Sequence, residues 1–163
     1  RAIDPGAHSE LLGRLPGEDL DAVLADLPEA DLEEAKLPSK REWVDASYSA
    51  DSVEEIVERL RARPEPEAAK AVAAIAAKSP TSLKIALRAL REARELPGLE
   101  ACLERELVTS LAFLDWPDFV EGVRSTVIDK DRDPRWNPPT LEGVTPEKLE
   151  PFFAAPAERI GVL

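Results

Sequence analysis

The segment DSVEEIVERL, residues 51–60, decides the fold class of this chain. Its apolar residues recur at the i, i+3, i+4 and i+7 positions of one helix face: Val53, Ile56, Val57 and Leu60. Asp51, followed three residues later by Glu54, has the pattern of a capping box, in which two side chains satisfy free backbone N–H groups at a helix start. The segment therefore predicts an amphipathic helix that ends by Pro64.

Helical spacing continues beyond this segment. An alanine-rich stretch up to Lys78 predicts a second helix, and Ser79-Pro80, a cap residue before a first-turn proline, predicts the start of a third. Three apolar stripes follow: Leu83, Ala86, Leu87 and Leu90; Leu99, Leu103, Leu107, Leu111 and Leu114; and Phe119, Val123 and Val127. We expect the last stripe on the inner face of its helix. Thr145-Pro146 opens one more short helix.

The first fifty residues carry a weaker pattern. They predict one amphipathic helix, on the apolar residues Leu20, Val23, Leu24 and Leu27. No stretch of the chain shows the period-2 alternation of a half-buried strand. We therefore predict an all-α fold of about six to eight helices. Residues 1–50 are expected to be linker and amphipathic helices, and residues 51–163 a helical domain.

Composition and charge limit the partners. The 163 residues include 21 Lys and Arg against 33 Asp and Glu, and the net charge of −12 disfavours nucleic acid and anionic membranes. No apolar run approaches the roughly 20 residues that span a bilayer. The single cysteine, Cys102, cannot form an internal disulfide, which fits a cytoplasmic location. We expect it to be a small apolar residue within a helix.

Residues for catalysis are scarce. His8 is the only histidine, and it lies among turn-forming residues, so we expect an ordinary exposed side chain. Zinc sites need more Cys and His than this chain has. The seven glycines stand singly, so neither a phosphate-binding glycine loop nor a Gly-Gly oxyanion hole can be drawn. The sequence predicts no catalytic residue, no metal site and no cofactor.

Three charged residues are candidates for buried polar contacts. Glu106 lies among leucines, and Glu121 lies three residues before Arg124. We expect both glutamates to be partly buried. A catalytic carboxylate must also reach a substrate atom and have its pKa raised by desolvation. We interpret all three residues as structural, fixing the packing through ion pairs or hydrogen bonds.

Residues 124–135 carry a net charge of +1, from four basic and three acidic side chains, in an otherwise acidic chain. Two interpretations stay open. In the first, Lys130 is a capping charge near a helix C-terminus and Trp136 plugs a groove between helices. In the second, Lys130, Arg132 and Arg135 receive the phosphates of a ligand, and Trp136 forms an apolar wall beside it.

Three blocks of sequence resemble one known family. They are SADSVEEI (49–56); SPTSLKI (79–85); and FVEGVR (119–124) followed by IDKD (128–131) and PRWNP (134–138). In this order and at this spacing they are similar to the 3-hydroxyisobutyryl-CoA hydrolases of the enoyl-CoA hydratase/isomerase (crotonase) superfamily. The similarity covers nearly the whole chain and is weaker before residue 45. One departure is Glu106-Leu107-Val108, where the family often has Glu-Tyr-Arg.

The resemblance implies the helical C-terminal region of a crotonase-like protein, with the ββα catalytic core preceding Arg1. The family's catalytic residues then map to no position of this sequence. In the superfamily the C-terminal helices cover the active site, support oligomer contacts and supply a basic side chain near the CoA phosphates, for which Lys130 is the nearest candidate. The implied partners are a crotonase core in the same or a separate chain, an acyl-CoA substrate and further copies in a homo-oligomer. Independently of the resemblance, the chain begins at Arg1 and has no methionine, so we expect either a segment cut from a longer protein or a numbering that starts inside one.

Three functions stay open from sequence. The chain is part of an acyl-CoA thioester hydrolase, part of an enoyl-CoA hydratase/isomerase, or a stand-alone helical interaction module. The two enzyme hypotheses predict an exposed apolar face where the core packs. The module hypothesis predicts a monodisperse protein that melts cooperatively when expressed alone.

Overall fold

The computed structural model describes residues 3–30 and 38–154. In these two ranges the chain forms nine α-helices and no β-strand, and an isolated antiparallel bridge joins Ile3 to Glu29. The all-α prediction is confirmed. The chain divides into two compact units between Asp45 and Ala46, and each is described by itself. No helix in the described ranges is both long enough and apolar enough to cross a membrane.

The unit that precedes residue 46 is small. It contains α1 (His8–Arg14), α2 (Leu20–Asp26) and the first part of α3 (Arg41–Tyr48). Its core consists of Ala7, Val23 and Leu27, with Ile3 and Leu11 packed against them. The prediction of one helix in this region missed α1 and α3, because neither carries enough apolar residues at helical spacing to stand out from its charged neighbours. In the part of the chain that the structure describes, the helix count is therefore nine instead of six to eight.

The larger unit holds the remaining helices. They are α4 (Val53–Arg61), α5 (Pro66–Ala76), α6 (Pro80–Glu92), α7 (Leu99–Leu114), α8 (Pro117–Val123) and α9 (Pro146–Leu149). A π-helical turn, Arg124–Ile128, continues α8 directly. Single 3₁₀ turns, Leu141–Gly143 and Glu150–Phe152, flank α9.

Helix α4 confirms the predicted apolar face, because Val53, Ile56, Val57 and Leu60 are all buried. Its cap lies one residue later than predicted. The hydroxyl of Ser52 accepts a hydrogen bond from the Glu55 amide at 3.1 Å, and the Glu55 carboxylate accepts one from the Asp51 amide at 3.3 Å. Ser52 takes the cap position because its backbone is extended, which brings its hydroxyl over the first turn.

The most deeply buried residues of helix α6 lie outside the apolar stripe identified in its sequence. Ile85 is 1% exposed, whereas Leu90, in the predicted stripe, is 72% exposed. Thr81 and Ile85, four residues apart, point to the core, and Ala89 packs against the same cluster. Tertiary packing therefore selects the Thr81–Ile85–Ala89 row over the leucine row.

Phe152 closes the core of the larger unit. Its side chain is 1% exposed and clusters with Ile85 and Phe153. The Phe152 ring centroid lies 4.9 Å from that of Phe113 and 5.2 Å from that of Trp116, the second pair edge to face. The α9 segment is thereby fixed against α7 and the start of α8.

Candidate functional site

Arg124 begins the π-helical turn after α8, and its side chain binds a charged loop that follows this turn. We define the charged loop as residues 129–137. The guanidinium donates to both carboxylate oxygens of Glu121, at 2.8 Å each. It also donates to Asp129 Oδ2 at 2.7 Å, to Asp131 Oδ2 at 2.6 Å and to the carbonyl oxygen of Asp133 at 3.1 Å. One arginine thus binds three carboxylates, and the predicted pairing of Glu121 with Arg124 is present.

These contacts shift the pKa values of Glu121, Asp131 and Arg124. The hydrogen bonds from Arg124 and from the Arg135 amide lower the pKa of Glu121 from 4.5 to about 2. The pKa of Asp131 is lowered by Arg124 and by the Asp133 amide. In return, hydrogen bonds to Glu121, Asp131 and Asp129 raise the pKa of Arg124. Glu121, Asp131 and Arg124 are therefore all charged at neutral pH.

Two carboxylates of α8 hold the far half of the loop. Glu121 Oε1 accepts a hydrogen bond from the Arg135 amide at 2.7 Å, and Asp118 Oδ1 accepts one from the Asn137 amide at 2.8 Å. Asp118 is 4% exposed, and its other oxygen accepts from Ser79 Oγ at 2.5 Å. Sequence reasoning missed Asp118, although an acidic residue directly after a first-turn proline is a common helix-start pattern.

Trp136 lies between two elements. Its Nε1 donates to the carbonyl oxygen of Ala77, directly after α5, at 3.2 Å. Its ring faces Gly122 of α8, where an added Cβ would lie 3.6 Å from the indole. These contacts match the interpretation of Trp136 as a side chain that fills a groove between helices. The half-buried ring keeps part of its surface in contact with solvent.

The basic residues of the loop have a different environment from its aspartates. Lys130 and Arg132 have φ angles of 58° and 55°, in the left-handed backbone region that residues other than glycine rarely adopt. Such conformations cost of order 1–3 kcal/mol each and concentrate at functional sites. Lys130, Arg132 and Arg135 are exposed, and their side chains form no ion pair with any residue that the structure describes.

A cleft of about 310 Å³ between α4 and α6 offers a contrast. Its basic side chains are already neutralised. Lys84 Nζ lies 2.7 Å from Glu54, and Arg91 lies 3.0 Å from Asp51. Arg88 pairs with Glu92 at 2.7 Å. This cleft therefore presents no unpaired cation to a ligand, whereas the charged loop does.

Three other residues singled out from the sequence, His8, Cys102 and Glu106, lie outside the charged loop. His8 is exposed, as expected. Cys102 is half-buried and lines a cleft of about 240 Å³ between α6 and α7. The prediction that Glu106 is partly buried is wrong, because the leucines beside it are themselves exposed. In residues 3–30 and 38–154, no cluster of His, Cys, Asp and Glu could hold a metal ion.

Helix α7 carries an exposed apolar surface that we name the leucine face. It comprises Leu99, Leu103, Leu107, Leu111 and Leu114, which are 36% to 74% exposed. The opposite side of α7 packs inward through Thr109 and Phe113. Phe119, Val123 and Val127 are also exposed, so the prediction that they face inward is wrong within this chain. A helix that is apolar on both sides is typical of a helix buried between two layers.

Comparison with known proteins gives a consistent result. Residues 7–153 match the family described as Enoyl-CoA hydratase/isomerase. The chain is 42% identical over 117 residues to a mitochondrial 3-hydroxyisobutyryl-CoA hydrolase of Gallus gallus, covering 72% of this chain and 30% of that protein. It is 39% identical over 123 residues to the Danio rerio protein of the same name, covering 76% and 32%.

Solved structures give the same picture. A carnitinyl-CoA dehydratase from Mycobacterium thermoresistibile superposes with a TM-score of 0.75 at 33% identity, covering 93% of this chain and 43% of that one. An enoyl-CoA hydratase from Rhodobacter sphaeroides 2.4.1 superposes with a TM-score of 0.73 at 32% identity, covering 91% and 42%. The chain thus spans about a third of the curated relatives named above and under half of these structures.

Proposed function

The chain belongs to the enoyl-CoA hydratase/isomerase family, and from this membership we propose that it is the C-terminal helical part of an acyl-CoA thioester hydrolase. The proposed reaction is that named for its relatives, hydrolysis of 3-hydroxyisobutyryl-CoA. In this proposal the segment supplies no catalytic group. It covers the active site of a catalytic core, supports CoA binding and contributes to assembly.

The leucine face is the observation that carries the proposal. Five leucines on one side of α7 lie open to solvent, and burying a leucine side chain fully stabilises a protein by about 1.5–3 kcal/mol. Such a surface favours a covering layer. Because the relatives are about three times as long as their match to this chain, a catalytic core has the size to supply that layer.

The charge around the leucine face indicates what its cover is like. Glu100 and Glu104 are exposed and, by helical spacing, lie on the same side of α7 as the leucines. A second copy packed through this face would bring these glutamates toward their counterparts, and like charges repel. As the native cover we therefore favour a core surface that is apolar in its centre and basic at its rim over an ordered homodimer through α7. In the isolated chain the uncovered leucines can still cause non-specific self-association.

The charged loop supports the CoA part of the proposal. Lys130, Arg132 and Arg135 are exposed cations that form no ion pair within residues 3–30 and 38–154, and phosphate groups are the anions that CoA presents. Trp136 lies next to them and offers the edge of an apolar ring. This arrangement favours the ligand-receiving interpretation of the loop without removing the structural role of Trp136.

The test is a thioesterase assay on the chain together with a crotonase core, joined to it or supplied as a separate chain. We expect release of free CoA thiol from 3-hydroxyisobutyryl-CoA with the core present and none from the chain alone. A core that binds the chain and leaves the thioester intact contradicts the proposal. The same mixture with an enoyl-CoA tests for hydration, the alternative that the names of the two solved structures favour.

The module hypothesis has a separate test. Light scattering of the isolated chain would show a monodisperse monomer if the leucine face needs no cover, and self-association if it does. The cytoplasmic location stays a prediction, and the Gallus gallus and Danio rerio hydrolases named above are mitochondrial proteins. An intact mass of the natural protein would show whether this segment is cut from a longer chain.

A further inference from the structure

The acidic and the basic residues of the loop have different partners. Along Asp129, Lys130, Asp131, Arg132 and Asp133 acidic and basic residues alternate one by one. Asp129 and Asp131 bind Arg124 through their side chains and Asp133 binds it through its carbonyl oxygen. The side chains of Lys130 and Arg132, between them, form no ion pair with any described residue. The acidic residues of the loop are therefore bound to Arg124, and the basic residues Lys130 and Arg132 are left exposed to solvent.

We propose that Arg124 is a positioning residue for an anion site, and that it keeps Lys130 and Arg132 free to bind the phosphates of an acyl-CoA. The inference rests on the proposed function for the identity of the ligand. The arrangement itself rests on the contacts of Arg124 alone. Arg124 does not touch the ligand in this proposal, since its donors are taken up by Glu121, Asp129, Asp131 and Asp133.

The physical reason is competition for the aspartates. A carboxylate next in sequence to a lysine or arginine is an available partner for that side chain, and a paired cation binds an external anion less well. With Arg124 in place, Asp129 and Asp131 are held at 2.7 Å and 2.6 Å from its guanidinium. Without Arg124, both carboxylates are free to turn to Lys130 and Arg132.

The backbone of the loop agrees with this role. The left-handed residues are the two basic ones, whereas the aspartate at the end of the π-helical turn, Asp129, has an ordinary helical backbone. The Arg132 amide donates to the carbonyl oxygen of Ser125 at 3.1 Å, and the Asp133 amide donates to Asp131 Oδ1 at 3.0 Å. These bonds fix the alternation, so that the side chains of Asp129 and Asp131 and the carbonyl oxygen of Asp133 meet Arg124, whereas the Lys130 and Arg132 side chains do not.

The experiment measures binding of CoA and of inorganic pyrophosphate to the full chain by titration calorimetry. Arg124→Leu is expected to weaken both by about tenfold or more, because Asp129 and Asp131 would then pair with Lys130 and Arg132, and losing even one cation–phosphate contact costs about that much affinity. The triple variant R124L/D129N/D131N is expected to restore binding, because it removes the competing carboxylates together with Arg124. A purely structural role for Arg124 predicts no such rescue.

Matched variants complete the design. Lys130→Ala with Arg132→Ala should abolish binding of both probes. Arg61→Leu removes an exposed arginine of α4 that pairs with no residue in the described ranges, and it should leave binding unchanged. Arg124→Lys keeps the charge but cannot span Glu121 and both aspartates, so its affinity should lie between those of wild type and R124L. Circular dichroism checks that each variant is folded.

The outcomes separate the two proposals. The inference is overturned if R124L or Arg124→Lys binds like wild type, if the triple variant fails to recover, or if wild type binds neither probe. Pyrophosphate binding that follows the expected order, in a protein whose core does not cleave the thioester, leaves the inference standing and removes the hydrolase proposal. If the thioester is cleaved equally well after Lys130→Ala with Arg132→Ala, the hydrolase proposal stands and the inference is removed.

Discussion

The carboxylate of Asp118 accepts a 2.5 Å hydrogen bond from the hydroxyl of Ser79, across 39 residues of sequence. Ser79 is also the cap of α6, where its Oγ accepts from the Ser82 amide at 3.1 Å. The second oxygen of Asp118 accepts from the Asn137 amide. One buried side chain therefore joins the start of α6, the start of α8 and the end of the charged loop.

Replacing Asp118 should loosen all three segments together. Asp118→Ala leaves the Asn137 amide and the Ser79 hydroxyl without their acceptor, and a buried donor left unpaired costs about 1–3 kcal/mol. We expect the free energy of unfolding to fall by that amount in denaturant titrations. Asp118→Asn should cost less, because its amide can donate to Ser79 Oγ while its oxygen still accepts from Asn137. Asp115→Ala, at an exposed carboxylate three residues earlier, is the control, and an equal loss there would contradict the assignment.

The fold was predictable where apolar residues occupy one helix face. Helix α4 has a single stripe, so periodicity alone identified its buried side. Helix α7 has apolar residues on both sides, the leucine face and the side that carries Phe113. Periodicity cannot choose between two such faces, because that choice depends on which neighbouring layer is present.

The site was predictable only over short range. Glu121 and Arg124 are three residues apart on one helical segment, and their contact follows from helix geometry. The contacts of Arg124 with Asp129 and Asp131 require a π-helical turn followed by a reversal with two left-handed residues. Neither feature has a clear signal in this sequence, since no glycine marks the left-handed positions.

Phe152 should be among the most sensitive core positions of the larger unit. Phe152→Ala removes a ring that is 1% exposed and contacts Phe113 and Trp116, and such truncations cost about 3–5 kcal/mol. Thermal denaturation followed by near-UV circular dichroism would show the loss and report on Trp116. Phe119→Ala is the matched control, because that ring is 45% exposed. Similar losses in both variants would mean that Phe152 does not close the core.

Acid should weaken the Glu121 cluster. The folded pKa of Glu121 is about 2, below its ordinary 4.5, so its contribution to stability is complete above pH 4.5 and is lost as the pH falls toward 2. Melting temperatures measured between these pH values should fall more steeply for wild type than for Glu121→Gln. Glu100→Gln, at an exposed glutamate, should follow the wild-type slope. If the melting temperature falls equally steeply with pH for wild type and for Glu121→Gln, the ionised Glu121 carboxylate contributes nothing to stability.

The leucine face should matter for association and not for folding of this chain. Leu103→Gln with Leu111→Gln changes two side chains that are 53% and 43% exposed, so we expect stability to change by no more than about 0.5 kcal/mol per site. The same pair should reduce self-association in light scattering and weaken binding to a catalytic core, because polar groups would then be desolvated at the contact. Leu60→Ala, at a residue 1% exposed, should lower stability by about 2–5 kcal/mol without this selective effect on association. If the glutamine pair destabilises the chain as much as Leu60→Ala does, the leucines are part of its own core and the proposed covering layer is not needed.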